Sequence, residues 1–142
     1  MSQRLSDNVC FTLYSATNAL IRAFRPILEA YDLTYPQYIV MHSLWCKNHV
    51  SLKALSEDTY LDSGTLTPIV KRLEGKGLLT RRISTEDERK KVISLTEKGV
   101  KLQADAEELS ATLVANSNMC LERIEKLREL SLELHKELTK AR

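Results

Sequence analysis

The chain of 142 residues predicts a mainly α-helical fold with one small β-hairpin. Three observations carry that prediction. Four Gly and three Pro are few, and Leu, Ala, Glu and Lys abound, which favours helix. Apolar residues recur at three- and four-residue spacing in several runs. Two short alternating segments, Leu78 to Ile83 and Lys91 to Leu95, flank a polar stretch as the arms of a hairpin do.

The elements follow in order. Leu13, Ala16, Leu20, Phe24, Ile27 and Leu28 mark one face of an amphipathic helix from about Ser6, with Pro26 expected to kink it or mark a restart. Thr34-Tyr35-Pro36-Gln37 is a helix start: Thr34 caps, Gln37 reaches back, and Pro36 is tolerated in the first turn. That helix runs to about Cys46 with a strongly apolar face, so it should be buried, and Cys46 beside Trp45 is expected to pack only. Ser51 opens a short helix, Leu52 to Asp58. Tyr60-Leu61-Asp62 leads into a second, Ser63 to Glu74, closed by Gly75 and Gly77. Leu66, Ile69, Val70 and Leu73 form its inner stripe. Ser63, Thr65, Thr67, Lys71 and Arg72 face out. Two short helices so joined fit a helix-turn-helix, and the hairpin beside them reads as a wing. Thr96 and Glu97 open a long helix. Leu109, Leu113, Cys120, Ile124, Leu127, Leu134 and Leu138 keep a near-heptad rhythm, interrupted at Asn116-Ser117-Asn118. Nothing left in the chain covers that seam, so it predicts a partner subunit.

Composition bounds the function. With 43% hydrophobic and 28% charged residues the chain is globular rather than disordered. No apolar run spans a membrane and the start lacks a secretory pattern, so the expected location is the cytoplasm. Three widely spaced cysteines, Cys10, Cys46 and Cys120, make neither a disulfide scaffold nor a zinc pattern. His42, His49 and His135 have no ligand spacing, and no phosphate loop occurs, so no enzyme, metal or cofactor is expected. Charge is uneven. Residues 71–91 hold eight bases and four acids, a net of +4 within a chain of +2, so the rest carries −2. A basic middle between acidic ends suits a polyanion.

Four segments, Cys10-Phe11-Thr12-Leu13-Tyr14-Ser15, Leu33-Thr34-Tyr35-Pro36-Gln37-Tyr38, Tyr60-Leu61-Asp62-Ser63-Gly64-Thr65-Leu66-Thr67-Pro68 and Glu86-Asp87-Glu88-Arg89, resemble the MarR family of winged-helix repressors. The first and third resemble its organic hydroperoxide-sensing, OhrR-type branch. The resemblance covers nearly the whole chain. It implies a single domain over 1–142, with 1–33 and 97–142 as dimerisation helices and 34–96 as a winged helix-turn-helix lobe. It implies a homodimer on an inverted repeat of double-stranded operator DNA, with Ser63 to Glu74 in the major groove and the wing at the minor groove. Cys10 would be the peroxide-reactive thiol. Tyr35 matches one of two partner-subunit tyrosines that bond that sulfur in the family. Phe24 stands at the other position and lacks the hydroxyl. Tyr14 matches a further tyrosine near the pocket.

The chemistry expected of these groups is specific. Peroxide attack needs a thiolate, which phenols of Tyr14 and Tyr35 and the start of a helix favour. Phe11, Leu13 and Phe24 are candidates for an apolar pocket around the sulfur; the alternative is that Cys10 merely packs. A sulfenic acid at Cys10 condenses with a second thiol, for which Cys120 is the candidate, or else with a small cellular thiol. Lys71, Arg72, Arg81 and Lys91 read as phosphate contacts. Ser63, Thr65, Thr67 and Pro68 reach base edges or thymine methyls, and Gly64 permits close approach. Arg89 suits a narrow minor groove, oriented by Asp87. Three functions compete: a repressor released by organic hydroperoxide, a repressor released by a bound phenolic ligand, and a thiol peroxidase, for which no arginine lies near Cys10.

Overall fold

The computed structural model describes residues 4–83, 91–106, 109 and 116–140. Two compact units divide the chain, residues 1–107 and 108–142. In the first, a 3-10 turn at Leu5–Asp7 precedes helix α1, Val9–Glu29. Then come α2 (Tyr35–Cys46), β1 (Val50–Ser51), α3 (Leu52–Thr59), α4 (Ser63–Gly75), β2 (Leu79–Ile83), β3 (Lys91–Leu95) and α5 (Glu97–Ala106). In the second, α6 spans Leu121–Thr139.

Helix α1 starts three residues later than the apolar pattern suggests, because Asn8 caps it, accepting from the Phe11 N–H at 3.1 Å. It does not restart at Pro26 but runs on to Glu29. Pro26 lies in the last turn, so only the Arg22 carbonyl forfeits a donor. Thr34 and Gln37 form the reciprocal capping box at the start of α2. The apolar face of α2 is the centre of the fold: Val40, Met41 and Leu44 are fully buried. They pack among Leu28, Leu55, Leu66, Val70, Leu73, Leu79 and Ile93, all sealed from water. Ile69, expected on the inner stripe of α4, is only half-buried. Cys46, expected to pack, is exposed, since it follows the buried Leu44 and ends the helix.

The sheet has three strands in the order β1-β3-β2, all antiparallel. The hairpin pairs Leu79 with Leu95 and Ile83 with Lys91. The third strand, β1, pairs Val50 with Ile93 and has only two residues. Its shortness kept it from view in the sequence, since two residues carry no alternation.

The join between α4 and β2 is tightly specified. Gly77 adopts φ +76°, while the Leu78 N–H reaches the Leu73 carbonyl and the Gly77 N–H that of Glu74. This is a Schellman closure with buried Leu73 and Leu78 as its apolar contact. Helix α5 sits directly on this join. A Cβ on Gly99 would lie 2.1 Å from the Leu78 carbonyl oxygen, so only glycine fits. Trp45 Nε1 donates to the Gly99 carbonyl at 2.9 Å, and Thr96 Oγ1 donates to Gly77 O at 2.6 Å. Among the described residues no helix is long and apolar enough to cross a membrane.

Candidate nucleic-acid interface and thiol site

Helices α3 and α4 meet at a three-residue turn. Tyr60 takes a left-handed backbone, φ 61°, and Asp62 caps α4 by accepting from the Thr65 N–H at 2.8 Å. Leu66, Val70 and Leu73, spaced by one and two turns, anchor α4 in the core. That anchoring turns Ser63, Gly64, Thr65, Pro68, Lys71 and Arg72 outward, all exposed. Open space surrounds Gly64, and Pro68 offers no N–H to the Gly64 carbonyl. The Thr67 hydroxyl is already committed, donating to the Ser63 carbonyl at 2.7 Å. The front of α4 is therefore a small-residue, polar edge with two cations behind it.

The expected phosphate contacts separate in the structure. Lys71, Arg72 and Lys91 are exposed. Arg81 is three-quarters covered and held by Glu74: its Nη2 and Nε donate to Oε1 at 2.8 and 3.3 Å, and its backbone N–H to Oε2 at 3.2 Å. That hydrogen bonding lowers the Glu74 carboxyl below its ordinary range and raises the guanidinium. The structure adds two cations to the set. Lys53, exposed on α3, shares with Ser51, Thr67, Arg81 and Lys91 a cleft of about 420 Å³ floored by Val70 and Ile93. Arg82, exposed on β2, was counted as charge but not assigned a contact. Asp87 and Arg89 lie outside the described residues.

Cys10 is exposed in the first turn of α1, and Tyr14, 69% exposed, stands one turn on along the same face. The Thr12 hydroxyl between them is tied to the Val9 carbonyl at 2.9 Å. Phe24 does not join this group within the chain. It lies fourteen residues on, roughly 21 Å along the helix axis, and is buried against the Tyr35 ring at 5.4 Å between centroids. Tyr35 in turn contacts Tyr38, and Tyr38 contacts Trp45. Burial raises the Tyr35 phenol above its ordinary pKa, and raises Tyr38 likewise. Cys120 is exposed at the N-cap of α6, one residue ahead of the helix whose seam it was expected to share. Among the described residues no group of three His, Cys, Asp or Glu side chains is placed to hold a metal.

Known proteins share this architecture. The family model "Transcriptional regulator SarA/Rot" matches residues 22–106. The organic hydroperoxide resistance transcriptional regulator of Bacillus subtilis is 39% identical over 125 residues, 88% of this chain and 85% of that protein. AbfR of Staphylococcus epidermidis, solved reduced and bound to DNA, is 30% identical with a TM-score of 0.78 over 96% of both chains. A disulfide form of AbfR superposes with a TM-score of 0.65 at 29% identity, covering 97% of this chain and 92% of that one. CouR of Rhodococcus jostii, bound to p-coumaroyl-CoA, is 26% identical with a TM-score of 0.75, covering 93% and 94% of the two chains. These relatives and this fold are those of DNA-binding transcriptional regulators rather than of enzymes. The family model over residues 22–106, the 39% identity to the Bacillus regulator and the likeness to AbfR make the chain a member of the SarA/Rot/MarR-type winged-helix transcriptional regulators.

Proposed function

We propose that the chain is a homodimeric repressor that senses organic hydroperoxides through Cys10 and then releases its operator. The observation that carries this reading is an exposed thiol in the first turn of α1, one turn from an exposed tyrosine. Its nearest support outside the chain is the likeness to the Bacillus regulator named for organic hydroperoxide resistance. The thiolate of Cys10 attacks the distal oxygen of the hydroperoxide, the O–O bond breaks, and the alkoxide leaves as alcohol after taking a proton. Sulfur is oxidised to sulfenic acid and the peroxide is reduced. A second thiol, Cys120 of the other protomer or a small cellular thiol, then attacks the sulfenic sulfur, water leaves, and a disulfide closes. Phe24 leaves Tyr35 and Tyr14 as the phenols available to the sulfur.

Homodimerisation accounts for the apolar side chains that one chain leaves in water: Leu5 in the 3-10 turn, Val9, Phe11 and Tyr14 at the start of α1, and Leu121, Leu127 and Leu138 on α6. Two α4 helices so joined would read half-sites about one duplex turn apart, roughly 34–36 Å. Lys71, Arg72 and Lys91, with Arg89 at the wing, would meet phosphates and the minor groove. Ser63, Gly64, Thr65, Thr67 and Pro68 would meet base edges. The target would be a peroxide-detoxification gene, read in the cytoplasm.

A duplex of about 30 base pairs, selected by the wild-type protein from a random library, spans both half-sites and serves as probe. Cumene hydroperoxide added to the bound complex should release wild-type protein and leave Cys10→Ser bound. Equal release of both would remove Cys10 as the sensor. A second reading, release by a non-covalent aromatic ligand, is favoured by the p-coumaroyl-CoA complex of CouR and by the mostly apolar cleft beside Thr67 and Lys53. Release by a phenolic acid under reductant, with Cys10→Ser responding equally, would select it.

A further inference from the structure

Between Ser63 and Ile83 there is a single acid, Glu74, among five bases. Against a polyanion an unpaired acid at this place lowers affinity. Its side chain nonetheless points into the join between α4 and the wing, and both its oxygens are used there. Oε1 receives the Arg81 guanidinium through two N–H groups, and Oε2 receives the Arg81 backbone N–H. The contact spans the last turn of α4, the left-handed Gly77 and the first residues of β2. The Schellman closure fixes the chain up to Leu78. The next ties within the wing are those to β3. Beyond the closure and the buried Leu79, Glu74 is the polar tie from α4 to β2 among the described residues, and it holds both the backbone and the side chain of one β2 residue. From Arg81 strand β2 runs two residues on to Ile83, so a change in angle here moves the outer end of β2 and of β3 paired with it.

We propose that Glu74 is a positioning residue of the DNA interface: through Arg81 it sets the direction in which the wing leaves the recognition helix, and it touches no DNA itself. Arg81 is on this account a strut and not a phosphate contact. The inference rests on the reading of α4 and the wing as the DNA-contacting surface. It makes a prediction of unusual sign. Deleting a negative charge beside DNA should weaken binding, because the loss of wing alignment outweighs the relief of repulsion.

Anisotropy of the fluorescein-labelled selected duplex, titrated with reduced full-length dimer at several salt concentrations, tests this. Glu74→Ala should raise Kd about three- to tenfold, the range for a charge-assisted pair discounted for its exposure, with the salt slope unchanged. Arg81→Met should cost the same, and the double variant no more than either single one. Glu74→Gln, which keeps an acceptor for the backbone N–H, should fall between and guards against loss of fold, as does a thermal melt of each variant. Tighter or unchanged binding by Glu74→Ala would overturn the inference. So would a salt slope that falls by about one unit for Arg81→Met alone, the signature of a direct phosphate contact. Lys71→Ala with Arg72→Ala separates the two levels. If that pair leaves affinity and slope untouched, the interface is misplaced. If it weakens binding while Glu74→Ala does not, only the positioning role fails.

Discussion

The lobe built on α2, α3, α4 and the sheet closes its own core, whereas the start of α1 and the whole of α6 do not. Every inner residue of α4 finds a partner inside the chain, and Leu66, Val70 and Leu73 are sealed. In α1 only Phe24 and Leu28, near its end, are buried, while Val9, Phe11 and Tyr14 stay in water. No residue of α6 is buried at all. Helices α4 and α6 are similarly amphipathic in sequence, so periodicity marks an apolar face without saying what covers it. Where the cover comes from the same chain, the result is a rigid reading head. Where it does not, the apolar face stays in water, and the exposed Cys10 lies at that end of α1.

Breaking the open region should produce the largest effect. Leu127→Glu with Leu134→Glu places two charges one heptad apart on α6. We expect monomeric protein and operator affinity lower by about 100-fold or more, since a lone half-site loses the linked second one. Light scattering and anisotropy check both, and a dimer that survives the pair would relocate the interface. Breaking the closed region should cost stability instead. Gly99→Ala drives a methyl into the Leu78 carbonyl and should destabilise by about 2–4 kcal/mol, measured by urea unfolding. That loss should not vary with protein concentration, whereas the loss from Leu127→Ala should. The smallest effect is on pH. The folded Glu74 carboxyl lies below its ordinary value of 4.5, so its contribution is present above that value and fades as pH falls through the lowered one. The acid limb of the wild-type melting curve should be steeper than that of Glu74→Gln. Identical limbs would mean the pair does nothing for the fold.

How much of this was legible in the sequence depends on the range of each contact. The box at Thr34 and Gln37 and the stripe of α4, Ile69 excepted, are local, and they stand where the residues place them. The apolar pattern of α1 begins before its helix does, because the 3-10 turn at Leu5–Asp7 leaves the capping to Asn8. β1 is too short to alternate, and Cys46 looked buried because its helix is. At the candidate site the outward set on α4 followed from periodicity. The commitment of Arg81 to Glu74 did not, since it exists only once Gly77 turns the chain back. Lys53 joins that surface from a different helix, and nothing in its neighbourhood of sequence announces it. Phe24 and Cys10 share a helix face in sequence yet lie at opposite ends of α1, so a pocket holding both needs a second chain.

Sedimentation equilibrium of the reduced, DNA-free protein tests the division between the closed and the open region most directly. The account predicts a species of twice the 16.2 kDa chain mass at micromolar concentration, dissociating when α6 is charged. A stable single chain of 16.2 kDa that still binds the selected duplex with full affinity would contradict it.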